Sequence, residues 1–271
     1  MNSDANRIDA KFGHLRKDDQ AAFIPFLTAG DPDLQTTKKL ILAAEKAGAD
    51  VIELGFPFSD PIADGPTIQA SYTRVLEKGQ KTDEIFELVK SVREESEIPI
   101  VAMVSYSIVY RLGFETFRDR ACEAGLDGAT IPDLPTEEMA PLKEVADARN
   151  FRLICFITPS TTQQRRAKAV ALAGGFIYYI AVRGITGERE ELADDLLQNI
   201  ESLRSLTDVP VAVGFGISCP EHARAVGHAA DGVIVGSAII RRIQNACEES
   251  ADPVDAAAAF ISEMAKAAKQ L

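Results

Sequence analysis

Eight short apolar runs punctuate the chain: "AAFIPFLTAG" (21–30), "GADVIELG" (48–55), "IPIVAMVSY" (98–106), "GLDGATIPD" (125–133), "FRLICFIT" (151–158), "GGFIYYIAV" (174–182), "VPVAVGFG" (209–216) and "ADGVIVGS" (230–237). Between them lie stretches such as "DLQTTKKLILAAEKAG", "TDEIFELVKSVREES", "ETFRDRACEAG", "TEEMAPLKEVADARN" and "DDLLQNIESLRSLT", in which apolar residues return every three or four positions. That spacing predicts amphipathic helices. Runs without polar alternation predict strands buried on both faces, the condition of a parallel sheet. Right-handed crossovers between eight such strands close naturally into a (β/α)₈ TIM barrel. An open doubly wound sheet is the competing arrangement. No G-x-G-x-x-G follows the first strand, where "TAGDPD" reads as a turn into a helix, and this weighs against it. The first ~14 residues predict a short amphipathic helix closing the bottom of the barrel. Asp252 and Pro253 supply an N-cap and first-turn proline for the last helix. No linker or low-complexity segment divides residues 1–271, so a single TIM-barrel domain is expected.

Composition narrows the partners. With 271 residues and 46% hydrophobic content the chain can bury a large core. A formal net charge of −12 argues against nucleic acid or an anionic membrane, both of which recruit basic patches. Any anionic ligand must therefore be held locally. Cys122, Cys155, Cys219 and Cys247 are widely spaced and read as reduced thiols. The opening "MNSDANRIDAKFGHLRKDDQ" lacks the apolar stretch of a secretory signal, and no apolar run approaches the ~18 residues of a membrane span. A cytoplasmic protein is expected.

Chemistry concentrates in two places, both at predicted C-terminal strand ends, where barrels of this kind keep their active sites. "VIELGFPFSDPIADGPTIQ" (51–69) leaves the second strand with Glu53, Asp60 and Asp64 set among stiff glycines and prolines. A glutamate in an apolar strand end is unfavourable unless it is paired or used. The pattern alone leaves open whether Glu53 is a paired structural acid, and whether Asp60 and Asp64 are turn formers. It also does not fix the side of the sheet to which Glu53 points. Two carboxylates in different surroundings suit general acid and base work. The second place gathers Gly184, Gly187, Gly214, Gly216 and Gly236, with Ser237 opening a short helix. Such glycines serve tight turns in any barrel, but three loops together suit a phosphate cradled by backbone N–H groups and a helix N-terminus. The polar loop 181–195, "AVRGITGEREELADD", suits either a lid or a solvated connection. His14, His222 and His228 fall away from strand ends, no metal-ligand spacing is present, and no lysine ends a strand. Metal, nucleophilic and Schiff-base mechanisms are disfavoured accordingly.

In this order, "FIPFLTAGDPD", "IELGFPFSDPIADGPTIQ", "DGATIPDLP", "ITPSTT", "GFIYYIAVRGITG", "VAVGFGIS" and "ADGVIVGSAI" resemble the motifs of tryptophan synthase α subunits over nearly the whole chain. The resemblance implies a barrel that cleaves indole-3-glycerol phosphate to indole and glyceraldehyde 3-phosphate. It also implies an αββα heterotetramer with a β subunit that carries pyridoxal phosphate; no cofactor or metal is implied for this chain. By the same resemblance Glu53 matches the general acid and base, and Asp64 the aspartate that receives the indole N–H. Phe26 and Phe215 match contacts to the ring, Tyr178 a residue near the glycerol portion, and Thr186 the lid threonine that meets Asp64. Gly187, Gly216, Gly236 and Ser237 match the phosphate positions, and Asp60 an aspartate at the subunit interface. Two departures stand out. "MVSYSIV" places Ser105 and Ser107 where the family usually has Tyr and Asn, and the lid carries Ala181 and Arg183. Both bear on partner coupling. A standalone lyase releasing indole, a non-catalytic barrel that activates a partner, and a sugar-phosphate isomerase are the remaining alternatives; the last would share the rim but not the "SDPIADGP" loop.

Overall fold

The computed structural model describes residues 5–62, 64–180, 196–214 and 216–269. In chain order these form α1 (Arg7–Lys17), β1 (Ala22–Thr28), α2 (Leu34–Lys46), β2 (Ile52–Gly55), α3 (Pro66–Glu77), α4 (Thr82–Arg93), β3 (Ile100–Met103), α5 (Tyr106–Leu112), α6 (Phe114–Ala124), β4 (Gly128–Thr130), α7 (Met139–Asp147), β5 (Arg152–Ile157), α8 (Gln163–Leu172), β6 (Ile177–Ile180), α9 (Leu196–Arg204), β7 (Val211–Gly214), α10 (Pro220–Ala229), β8 (Gly232–Val235), α11 (Ser237–Glu248) and α12 (Pro253–Lys269). All eight predicted strands are present. They close in sequence order, every neighbour parallel, with β1 paired to β8 from Ala22↔Gly232 to Pro25↔Val235.

Alternation along each strand separates two cores. Phe23, Leu27, Ile52, Leu54, Ile100, Ala102, Val211, Val213 and Val233 face the surrounding helices. The opposite positions, Ala22, Ile24, Val101, Ile154, Tyr178, Ala212 and Ile234, fill the barrel interior, joined by Val51 and Phe176 just ahead of their strands. Into this interior α1 inserts Ile8, Phe12 and Leu15 from below, as its spacing predicts.

Side chains around its first turn anchor that plug. Asn6 caps the helix by accepting from the Ile8 N–H, and its amide donates to the Asp127 and Asn150 carbonyls at 2.8 and 2.7 Å. Asp127, almost fully buried, accepts from Arg7 at 2.9 Å, from Arg93 at 3.0 Å and from the Ile100 N–H at 2.8 Å. Asp50 likewise receives the Phe23 N–H and Lys269, so the last helix is tied to the same end. The Asp252 carboxylate accepts from the Val254 N–H at 2.7 Å, the expected cap of α12.

Three features differ from the sequence pattern. The third apolar run ends as a strand at Met103, because Ser105 caps α5: its hydroxyl accepts from the Ser107 N–H and donates to Asp133 at 2.8 Å. Extra helices α3 and α5 follow β2 and β3 where one crossover helix each was expected. The helix opened by Ser237 is not short but runs 12 residues, since Ile239, Ile240, Ile243 and Ala246 all bury on one side.

Removing one member of a buried ion pair leaves the other uncompensated. Asp127→Ala should therefore lower unfolding free energy by about 3–5 kcal/mol in urea titrations. Glu97→Ala, which removes the partner of Arg7 that is 77% exposed, should change it by less than about 0.5 kcal/mol.

Candidate active site

The strand ends opposite α1 frame a cleft that opens to solvent. Glu53 shares the inward phase of Val51 and lies opposite Phe26 on β1 and Val101 on β3. It therefore points into the barrel mouth, where it is 1% exposed. Asp64 reaches the same cleft from the loop after β2 and is 6% exposed. That loop is folded back on itself: the Asp64 N–H donates to the Pro61 carbonyl at 3.0 Å, and Gln69 donates to the Asp64 carbonyl at 2.7 Å. Gly65 and Pro66 then start α3 without a side-chain cap.

Oε1 of Glu53 and Oδ1 of Asp64 are buried without a hydrogen-bond partner among the described residues. Burial, and then the charge of Asp64, push the Glu53 carboxyl up to about 8; the Thr130 hydroxyl acts in the opposite sense. Burial, and then Asp133, push Asp64 up to about 7. The two titrate as a coupled pair that retains a proton at neutral pH. Tyr72 and Tyr178 are held well above the ordinary tyrosine value by burial and then by the two carboxylates, so both rings remain neutral phenols.

Of the other residues singled out in the sequence, Phe26, Tyr178, Gly216, Gly236 and Ser237 all line this cleft. Phe26 and Tyr178 form its walls, the Tyr178 ring lying 4.7 Å from that of Phe156. Gly216 adopts φ +84°, which glycine tolerates and other residues rarely do. Gly236 precedes α11, whose first turn receives no side-chain cap, so backbone N–H groups face the ligand space from an electropositive helix end. Asp60 lies elsewhere, in a smaller hollow with Pro61, Ile62, Ser105 and Asp133. Thr186, Gly187, Phe215, Gly184 and the 181–195 loop fall outside the described residues.

Gly214 has a different task from the one its motif suggested. A Cβ there would come within 2.5 Å of the Tyr178 hydroxyl, so the glycine makes room for a ring of the neighbouring strand. Gly55 does the same for Phe26 and Tyr72, at 2.5 and 2.7 Å. Tyr72, Thr130 and Arg241 were not found from motifs. Tyr72 lies one turn after Ile68 on the inner side of α3, Thr130 holds the last position of β4, and Arg241 follows Ser237 by four positions on α11; only spacing could have shown them.

Parallel strands closed into a barrel define a (β/α)₈ protein, and one cleft at its open end brings two buried carboxyl groups opposite an uncapped helix start. The model of the family described as tryptophan synthase alpha chain matches residues 12–269. The chain belongs to that family, the alpha subunits of tryptophan biosynthesis. A relative of that name from Rhodopirellula baltica is 46% identical over 258 residues, 93% of each chain. One from Caldanaerobacter subterraneus is 49% identical over 247 residues, covering 90% of this chain and 94% of the relative. The solved tryptophan synthase alpha chain of Legionella pneumophila superposes with a TM-score of 0.88 at 34% identity over 97% of each chain. A chain from work on the tryptophan synthase α2β2 complex of Pyrococcus furiosus gives 0.84 at 36% identity, covering 90% of this chain and 98% of that one. Among the described residues no helix is long and apolar enough to cross a membrane.

A carboxyl whose folded value is raised favours the fold while protonated. That contribution is complete below about pH 4 and fades as pH rises towards 8, where Glu53 ionises in place. Glu53→Gln should flatten the stability profile between pH 4.5 and 8 and exceed the wild type at pH 8.5 by on the order of 2 kcal/mol in urea titrations. A variant profile parallel to that of the wild type would contradict the burial assigned to Glu53.

Proposed function

We propose that this chain, acting as one domain, is the lyase that cleaves indole-3-glycerol phosphate into indole and glyceraldehyde 3-phosphate. The observation that carries the proposal is the buried Glu53–Asp64 pair, one carboxyl poised to hold a proton beside another that ionises more readily. The reaction is a retro-aldol cleavage. Protonated Glu53 gives its proton to ring carbon C3, and positive charge develops on the indole nitrogen. Ionised Asp64 accepts the ring N–H and stabilises that charge in a water-poor setting, where such interactions are strong. Glu53, now a carboxylate, takes the proton of the side-chain hydroxyl as that oxygen becomes the aldehyde. The C–C bond breaks, and its electron pair returns to the ring and neutralises the nitrogen. Glu53 ends protonated as it began, so acid and base are one group used twice.

Phe26 and Phe215 hold the indole, Tyr178 borders the glycerol portion, and Thr186 belongs to the lid. Gly187, Gly216, Gly236 and Ser237 receive the phosphate through backbone donors. The likeness to the Pyrococcus α2β2 complex supports a β-subunit partner and an αββα assembly. Pyridoxal phosphate then belongs to that partner, and the assembly works in the cytoplasm. Asp60 stands beside Ile62, which is 82% exposed, on a surface suited to the partner.

Indole release from indole-3-glycerol phosphate by the isolated chain, with and without a β subunit, tests this reading. Glu53→Gln should lower kcat by about 10²–10⁴ and Asp64→Asn by about 10²–10³, each with substrate binding retained. The wild-type rate should fall below about pH 7 and above about pH 8 as the pair gains or loses its working proton. Cleavage that survives Glu53→Gln would refute the assignment, and a rate indifferent to the β subunit would favour a standalone enzyme.

A further inference from the structure

The phosphate rim assigned from motifs consists of neutral donors, yet the cleft contains two carboxylates and the chain as a whole carries a net charge of −12. Such a site repels a phosphomonoester dianion at long range unless a positive charge stands close by. Among the described residues lining the cleft there is a single cation, Arg241. It lies four positions after Ser237 on α11, and helical side chains lean towards the N-terminus, so its guanidinium is carried back over the uncapped first turn. Arg241 Nη1 donates to the Thr67 hydroxyl of α3 at 3.2 Å, a bond that holds the side chain across the mouth between two helix starts.

We propose that Arg241 is the phosphate-recognition residue that supplies the positive charge of this site, with Thr67 as the residue that positions it. The assignment rests on the lyase reading above and extends it from where the phosphate lies to why a dianion is accepted at all. A guanidinium offers several N–H donors in a plane, a geometry matched to phosphate oxygens. Backbone donors fix the position of the phosphate; Arg241 sets the preference for its charge.

The discriminating experiment compares 3-(indol-3-yl)propyl phosphate, which has no bond to cleave, with the alcohol 3-(indol-3-yl)propan-1-ol. Binding of each to the full chain is measured by calorimetry at low and moderate salt. Arg241→Gln should weaken the phosphate ester by about 10- to 100-fold while the alcohol changes by less than about 3-fold. Arg241→Lys should recover part of the loss, and Thr67→Val should give a smaller loss in the same direction. Added salt should weaken ester binding more in the wild type than in Arg241→Gln. Should Arg241→Gln not fold, the lysine and Thr67→Val variants decide by the same comparison. Unchanged ester binding overturns the proposal, as does an equal loss of ester and alcohol, which would make Arg241 a wall of the cleft. A wild-type chain that binds neither compound removes the lyase reading and this proposal together, an outcome distinct from the other two.

Discussion

The structure turns on one constraint: a carboxyl group must be kept inside a barrel of hydrocarbon with no counter-charge paired to it among the described residues. Glu53 occupies an inward position of β2, where a valine or isoleucine would pack more favourably, and its Oε1 has no hydrogen-bond partner among the described residues. The group responds by keeping its proton. Much of the upper half of the barrel follows from that. Asp64 is folded down to within electrostatic reach by the Pro61 and Gln69 hydrogen bonds. Among the described residues the rings of Phe26 and Tyr178 line the cleft with the pair, and a lysine or arginine set beside Glu53 would favour its charged form.

The two ends of the barrel treat acids in opposite ways. At the closed end Asp127 and Asp50 are buried but met by Arg7, Arg93 and Lys269 and by backbone N–H groups. Those acids hold α1 and α12 against the sheet, and their chemistry is spent on structure. At the open end the two carboxylates have no such partners among the described residues, and Arg241, the cation that lines the cleft among those residues, donates to Thr67 at the helix starts. Charge compensation at one end and its denial at the other allow one fold to be both anchored and reactive.

Much of this was legible in the residues. The eight strands followed from apolar runs without alternation, since burial on both faces removes the polar phase. The plug α1 and the Asp252 cap followed from local spacing and cap chemistry, which depend only on neighbours in sequence. What escaped depends on neighbours in space. Whether Glu53 faced the mouth or the helices is a matter of phase, fixed by the register with Phe26 and Val101. Gly214 looked like a ligand contact because its loop is rich in glycine, but its reason is the Tyr178 ring arriving from β6. The end of β3 was overrun because Ser105 reads as part of an apolar stretch until Asp133, distant in sequence, makes it a cap.

Gly55 and Gly214 carry a further meaning for how this cleft can change. Phe26 and Tyr178 lie where the Cβ atoms of those glycines would be, so each ring rests directly on the backbone of the next strand. A wall seated on main chain has nothing softer behind it to trim. The cleft can thus be enlarged by shortening the rings themselves, yet no substitution beneath them lets them sink further, and any side chain added there drives them inward. The breadth of ligand such a barrel admits is governed by two aromatic positions and bounded on one side by the geometry of the sheet.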